Sequence, residues 1–193
     1  MEKEKQQFKA FVISKGLTTP NVIDEIYSSA SIVRVKRNDD LVQIGETCRS
    51  FWFLLEGSVR AYTIDEHGKE FTTDFAFENQ FFTSFRSFSL NVSTEETITA
   101  MESCTFLKFT KEAFLKLIHK HPLFKQLYDT LVYEGFMCME KRSNLLQSAT
   151  AVDKYLYLLE YENPKIMERV PMHFIASYLG MSPETFSRVR SKI

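Results

Sequence analysis

The chain has 193 residues, of which 44% are hydrophobic and 14% aromatic, so it can form one large domain or, more naturally, two smaller ones. Its formal charge of −1 excludes a protein that attracts nucleic acid through its average surface, so any such binding must come from a local patch. The three cysteines, Cys48, Cys104 and Cys138, are widely spaced without a Cys-x-x-Cys pair, which indicates reduced thiols.

The start of the chain indicates a cytoplasmic protein. Its first residues, Met-Glu-Lys-Glu-Lys-Gln-Gln, are charged, and no signal-peptide core follows them. No apolar run reaches the length of a membrane span. We therefore expect a soluble, intracellular protein that has no membrane as a partner.

The first two thirds of the chain predict two helices followed by a small antiparallel sheet structure. The helices lie around Lys5–Ser14 and after Pro20, where apolar residues recur at helical spacing. Short runs rich in Val, Ile, Phe and Thr, separated by turn residues, then predict a sandwich or roll. The predicted strands are Ile32–Lys36, Leu41–Ile44, Phe51–Leu55, Ser58–Ile64, Glu70–Phe75, Thr97–Met101 and Thr105–Phe109.

Helical spacing returns at Lys111–His119, and a long helix runs from Pro122 to about Leu146. This helix has two apolar lines, and one of them alternates steps of four and three residues, as in a coiled coil. We interpret the two lines as one packed on the strand domain and one on a symmetry mate; alternatively, both face one core. The predicted dimer seam is Phe124, Tyr128, Leu131, Gly135, Cys138, Arg142 and Leu145, and the second line is Val132, Phe136, Met139 and Leu146.

A further helix, Asp153–Glu160, precedes a loop at Asn163-Pro164 and a segment from Pro171 to Ile193 that predicts a DNA-binding helix-turn-helix. Ala176 supplies a small side chain where the two helices cross, and Gly180 can adopt the positive φ that ends the first helix. The shared apolar face is Ile175, Leu179, Met181, Phe186 and Val189.

The second helix of this pair is predicted to begin at Ser182, a ready N-cap, with Pro183 in its first position and Glu184 in its first turn. Its outward residues can donate to or accept from base edges and phosphates. The candidate DNA-binding residues are Ser182, Glu184, Thr185, Ser187, Arg188, Arg190, Ser191 and Lys192. The alternative is an ordinary helical hairpin whose basic end is only solvated, and the weak local charge means that one copy alone would bind poorly.

The order of the predicted elements resembles that of the Crp/Fnr family of bacterial transcription regulators. The elements are a strand roll, a long dimer-type helix and a C-terminal helix-turn-helix. Residues 51–62 resemble the family's strand–Gly–strand signature, and residues 175–190 resemble its DNA-reading end. The resemblance implies an α+β fold with a jelly-roll-like β-roll of the cyclic nucleotide-binding type. It also implies a homodimer that senses a signal in the roll and binds a palindromic operator, with double-stranded DNA, a second copy and RNA polymerase as partners.

On this basis we expect three regions: an effector-sensing roll with flanking helices over residues 1–121, a dimerisation helix over 122–147 and a DNA-binding domain over 148–193. The family's recognition helix usually opens with an Arg-Glu pair and has another Arg four residues after the Glu. Glu184 and Arg188 match this pattern, whereas Pro183 stands where the first Arg is expected. Glu184 and Arg188 are also i,i+4 neighbours that can hold each other's rotamer. The wing that commonly follows this helix is expected to be missing, because the sequence ends at Ile193.

The predicted effector cassette departs further from the family. Cyclic nucleotide-binding members hold the ribose with a Gly-Glu pair and the phosphate with an Arg-Ser or Arg-Thr pair. Thr83-Ser84 and Thr94-Glu95 stand at these positions, and a buried phosphate without a cation is costly, so we predict no binding of cyclic AMP. The candidate effector residues are Phe82, Thr83, Ser84, Phe85, Arg86 and Thr94.

Seven phenylalanines between Phe71 and Phe88 either line a pocket for an apolar ligand or, as we favour, fill the former nucleotide cavity. Three scattered cysteines cannot hold an iron–sulfur cluster, and no cofactor is predicted. Haem ligation stays open. Its candidate ligands are His67, His119, His121 and Cys104.

We therefore expect a transcription regulator and not an enzyme. A rival on the same fold is a DNA-silent sensor that binds a protein partner, which the missing wing and low charge favour. A rival of another class is a cupin-like metal enzyme, which needs a His-x-His pair on strands. Only His67 lies in the strand region, and His119 and His121 fall at a helix end.

Overall fold

The computed structural model describes residues 2–193, and for Ser148 it describes the backbone only. Two helices, α1 (Glu2–Ser14) and α2 (Pro20–Ser28), precede the strand region. The strands are β1 (Ser31–Val35), β2 (Asp40–Val42), β3 (Ser50–Glu56), β4 (Ser58–Ile64), β5 (Glu70–Phe77), β6 (Phe81–Phe82), β7 (Thr97–Ala100) and β8 (Cys104–Thr110), with helix α3 (Phe85–Leu90) between β6 and β7. The helices that follow are α4 (Lys111–Lys120), α5 (Pro122–Ser148), α6 (Ala151–Tyr161), α7 (Lys165–Arg169), α8 (Met172–Tyr178) and α9 (Pro183–Arg190).

The strands form two four-stranded sheets, in the orders β1-β8-β3-β6 and β2-β7-β4-β5. The predicted antiparallel sandwich or roll is thereby confirmed, and the seven predicted strands agree with the observed ones to within two residues at each end. The short elements β6, α3 and α7 were missed because two to six residues are too few to display a periodicity. No described helix combines the length and the apolar character that crossing a membrane requires.

The core of the strand region consists largely of aromatic rings. Strand β3 is buried on both faces, from Ser50 to Leu55, and therefore reads as an uninterrupted apolar run. Phe8 from α1 meets Phe53 of β3 edge-on at 5.2 Å, and Phe51 stacks on Phe114 of α4 at 4.2 Å. This packing explains why α1 and α4 belong to the same core as the sheets.

Gly57 joins β3 to β4 in the turn that carries the strand–Gly–strand pattern. Its φ is +102°, and a Cβ at this position would lie 2.8 Å from the carbonyl oxygen of Ser103. Only glycine therefore fits this turn without displacing the neighbouring backbone.

The chain divides into two compact units, each formed by two separate segments. One unit is Met1–Ala61 with Ala76–Val132, and the other is Tyr62–Phe75 with Tyr133–Ile193. The division thus falls inside α5, and the tip of the β4–β5 hairpin belongs with the C-terminal helices.

Several residues of the predicted dimer seam on helix α5 make contacts within their own chain. Phe124 is 1% exposed and packs against Phe114, at 5.6 Å between ring centroids, in the core of its own chain. Tyr128 and Leu131 are partly buried on the same core, and Arg142 donates to carbonyl groups of its own chain. Phe124 and Arg142 therefore have partners within their own chain, and the seam with a second copy stays a prediction, because spacing along a helix does not distinguish an internal partner from a second copy. The apolar side chains that this helix leaves mostly exposed are Tyr133 (65%), Phe136 (65%) and Met139 (73%).

Candidate nucleic-acid interface and effector cassette

Helices α8 and α9 pack through the small and apolar residues that the sequence singles out. Ala176 and Phe186 are both 0% exposed, and Ile175, Leu179 and Val189 are buried beside them. The Phe186 ring meets Tyr155 of α6 edge-on at 5.6 Å, so α6 supports the pair from behind. The inward face of the predicted helix pair is thereby confirmed, with Met181 only half-buried.

The turn between the two helices ends α8 with a left-handed glycine. Gly180 has φ +62°, and its N–H donates to the carbonyl of Ser177 at 3.0 Å. The N–H of Met181 donates to the carbonyl of Ala176, also at 3.0 Å. This pair of bonds is a Schellman motif, which requires a residue that tolerates positive φ after the last helical turn.

Ser182 caps α9 as predicted, because its Oγ accepts from the backbone N–H of Thr185 at 3.2 Å, and Pro183 occupies the first helical position. The hydrogen bond from the Ser182 side chain lowers the pKa of the Glu184 carboxyl below its usual value, so Glu184 is an anion at neutral pH. The Glu184 carboxylate thus contacts Ser182 in this structure. The sequence instead predicts that the side chains of Glu184 and Arg188 hold each other's rotamers.

The predicted base-reading side chains point away from the helix core. Glu184, Ser187, Arg188, Arg190 and Lys192 are all exposed. The three remaining candidates make contacts within the protein. Ser182 is the N-cap and accepts from the N–H of Thr185, which is half-buried, and Ser191 donates to the carbonyl of Arg188 at 3.0 Å. The outward face therefore presents one carboxylate, one hydroxyl and three cations.

The predicted effector cassette lies around α3 and is held together by its own hydroxyl groups. The side-chain oxygens of Ser84 and Thr94, each at most 4% exposed, are 2.8 Å apart. Thr94 Oγ1 also accepts from the N–H of Glu96 at 3.1 Å, and Thr83 Oγ1 donates to the carbonyl of Ser50 at 2.9 Å. These hydroxyls satisfy buried polar groups of the protein itself, as buried polar atoms must.

Some of the charged and aromatic side chains near the cassette lie at the surface, and others pack against the core. Arg86 pairs with Glu95 at 2.6 Å, and both side chains are mostly exposed, while Phe85 is 47% exposed. Phe82 stacks on Trp52 with 5.4 Å between ring centroids. The structure thus brings Ser84 and Thr94 together in the interior and leaves Phe85 and Arg86 at the surface.

The candidate haem and metal ligands occupy separate elements. His67 lies in the turn after β4 and His119 near the end of α4, whereas Cys104 is buried in β8. His121 lies 3.1 Å from Glu25, and burial raises the pKa of the Cys104 thiol to about 11, so that thiol is protonated at neutral pH. Among the described residues, no group of three or more His, Cys, Asp and Glu side chains is placed to hold a metal ion.

Sequence reasoning missed the role of Arg142. Its guanidinium donates to the carbonyls of Thr72, Thr73 and Tyr178 and lies 3.8 Å above the Tyr178 ring. The one available signal was an arginine in an otherwise apolar helical line, which indicates a buried polar contact rather than a coiled-coil seam.

Comparison with known proteins identifies a domain family and several solved structures of similar fold. Residues 32–121 match the family described as the cyclic nucleotide-binding domain. The c-di-GMP-responsive global regulator CLP of Xanthomonas campestris is 15% identical and superposes with a TM-score of 0.73 over 90% of this chain and 91% of its own. FixK2 from Bradyrhizobium japonicum is 17% identical, with a TM-score of 0.70 over 84% of this chain and 83% of its own.

The catabolite activator protein of Thermus thermophilus is 20% identical, with a TM-score of 0.61 over 92% of this chain and 84% of its own. No curated protein sequence matches the chain significantly. Residues 32–121 are therefore of the cyclic nucleotide-binding type, and the chain, with its β-sandwich and long helix, has the overall fold of these regulators.

Proposed function

We propose that this protein is a cytoplasmic, DNA-binding transcription regulator of the Crp/Fnr type, in which α8 and α9 form the helix-turn-helix. The observation that carries the proposal is the outward face of α9, whose Glu184, Ser187 and Arg188 are exposed on a capped helix with a fully buried inner face. A carboxylate can accept from cytosine N4, and a guanidinium can bind guanine O6 and N7 in bidentate fashion.

The regulator acts as a homodimer. Two recognition helices bind successive major grooves, about 34–36 Å apart, and a palindromic operator matches the twofold symmetry of the protein. The exposed Tyr133, Phe136 and Met139 supply an apolar face on the same helix that the sequence assigns to dimerisation. A dimer also offsets the weak basic charge of a single C-terminal region, because two sets of phosphate contacts act together.

Cyclic AMP does not control this regulator. The position that would hold the cyclic phosphate is occupied by Thr94, whose hydroxyl is engaged with Ser84 and Glu96. The nearby Arg86 is exposed and paired with Glu95. A phosphate buried among these hydroxyls would have no cation to balance its charge.

Selection of bound fragments from a genomic DNA library, followed by mobility shift on the enriched sequence, tests the function. We expect enrichment of a palindromic site and a loss of affinity of roughly 5- to 150-fold per half-site for Arg188→Ala, equivalent to about 1–3 kcal/mol. Arg37→Ala, which removes an equally exposed charge in the turn after β1, is the matched control and is expected to bind normally.

Enrichment of no sequence at low salt would overturn the proposal. If a site is enriched but Arg188→Ala and Arg37→Ala bind it equally, α9 does not read bases. The first of these two results would favour the second candidate, a sensor that acts on a protein partner.

A further inference from the structure

The tip of the β4–β5 hairpin folds with the C-terminal helices. Arg142 of α5 contacts both the hairpin and α8. Its Nη2 donates to the carbonyl of Thr72 at 3.1 Å and to that of Tyr178 at 2.9 Å, and its Nη1 donates to the carbonyl of Thr73. One side chain thus joins three elements: the hairpin, α5 and the last residue of α8.

A second set of contacts joins the hairpin to α8 directly. Ser177 Oγ accepts from the N–H of Thr72 at 2.9 Å and donates to the carbonyl of Glu70 at 3.4 Å. The rings of Phe75 and Tyr178 lie 5.2 Å apart, and the Tyr178 hydroxyl donates to Glu162 at 2.8 Å. We call these contacts, together with those of Arg142, the hairpin latch.

Arginine suits this position for physical reasons. The carbonyl of Tyr178 lies at the C-terminal end of α8, where the helix dipole favours a cation. The flat guanidinium can donate in several directions in one plane and also stack on the Tyr178 ring, whereas an ammonium is a single point charge. Arginine therefore fits a place where three carbonyl oxygens and one ring converge.

The two sides of the hairpin latch continue along the chain, one into the strand region and the other into α9. Thr72 and Thr73 belong to β5, which continues as far as Phe77 into the strand region. Tyr178 is followed by the Gly180 turn and then by α9. The contacts of Arg142 and Ser177 therefore join β5 to α8, which leads through the Gly180 turn into α9.

We propose that Arg142 is a positioning residue for DNA recognition: the hairpin latch holds α8, and with it α9, in the orientation that binds an operator, and opening the latch lowers specific affinity. This inference rests on the proposed function. Arg142 lies outside the outward face of α9, so its loss is expected to spare the phosphate contacts that dominate non-specific binding.

The test compares Arg142→Gln with Lys141→Gln in the full-length protein. Lys141 is the exposed neighbour on the same helix, so its substitution removes the same charge without touching the latch. For Arg142→Gln we expect faster hydrogen exchange at the Thr72 amide and within α8, together with a loss of roughly tenfold in operator affinity. Binding to unrelated DNA is expected to stay within about twofold, and Lys141→Gln is expected to match the wild type.

Unchanged exchange in the hairpin, or faster exchange with unchanged operator affinity, would overturn the proposal. An equal loss of operator and unrelated DNA binding would also overturn it, since that pattern indicates general instability. If Arg142→Gln does not fold, Arg142→Lys and Ser177→Ala replace it, with changes in the same directions but smaller.

The exchange measurement also separates this inference from the proposed function. If the wild-type protein enriches no DNA site, the proposed function and the coupling to DNA both fail, and exchange still shows whether the latch holds the hairpin.

Discussion

Among single residues, Ser84 and Thr94 in the cassette around α3 are those on which the proposed lack of cyclic AMP control depends. The buried hydroxyls of Ser84 and Thr94 bond to each other, and Thr94 also accepts from the backbone of Glu96. Admission of a phosphate to this place would break these bonds and bury a charge with Glu95 and Glu96 as its closest neighbours in sequence. The side-chain chemistry of Ser84 and Thr94 therefore supports the proposal that cyclic AMP is not the ligand.

This reasoning predicts that cyclic AMP at about 1 mM leaves the melting temperature unchanged. A ligand bound with a Kd a hundredfold below its concentration would stabilise the protein by about 2.7 kcal/mol and raise the melting temperature by several degrees. Differential scanning fluorimetry with and without the nucleotide makes the measurement, with AMP as the control ligand. A reproducible rise with cyclic AMP alone would refute the prediction.

At the scale of elements, the turn between α8 and α9 depends on one glycine. Gly180 adopts φ +62°, and a Cβ there would lie 3.3 Å from the Leu146 side chain. Gly135, in the middle of α5, is a useful contrast because it has ordinary helical geometry, and no described neighbouring atom lies within 4 Å of the place that a Cβ would take. The two glycines thus differ in backbone conformation and in the space around them.

We predict opposite effects of alanine at these positions. Gly180→Ala is expected to lower the free energy of unfolding by about 1–2 kcal/mol, because a left-handed conformation costs a residue with a Cβ that amount. Gly135→Ala is expected to raise it by up to about 1 kcal/mol, because alanine is the better helix former. Urea unfolding followed by circular dichroism measures both, and destabilisation of equal size would contradict the account.

For the whole molecule, the exposed apolar face of α5 is the feature from which we predict a dimer. The first half of this helix is anchored in its own core through Phe124, while Tyr133, Phe136 and Met139 remain 65–73% exposed. An apolar face of this kind is costly in water unless another surface covers it. A second copy of the same helix fits the proposed twofold operator.

Accordingly, Phe136→Glu is predicted to convert the dimer into a monomer, because two copies of the charge would meet near the symmetry axis. Sedimentation velocity at micromolar concentration measures the change, and operator affinity is expected to fall with it. Leu90→Glu, at the exposed end of α3, is the matched control and is expected to remain dimeric. A wild-type monomer, or a Phe136→Glu dimer, would show that this face does not join two copies.

The features that depend on near neighbours could be predicted from the order of amino acids alone. The strands, the long helix, the Ser182 cap and the left-handed Gly180 follow from periodicity and from turn and cap chemistry, which act over a few residues. For the same reason the inward and outward faces of α9 were predictable.

Contacts between groups far apart along the chain became apparent from the folded structure. In the folded chain, Phe124 lies in the core and the hydroxyls of Ser84 and Thr94 form a hydrogen bond. Arg142 contacts both the hairpin and Tyr178. Helical spacing shows that a side chain faces a partner, and the identity of that partner depends on contacts between residues far apart in sequence, about 70 positions in the case of Arg142 and Thr72. The physical reason is that burial selects a complementary surface, and that surface exists only once the whole chain has folded.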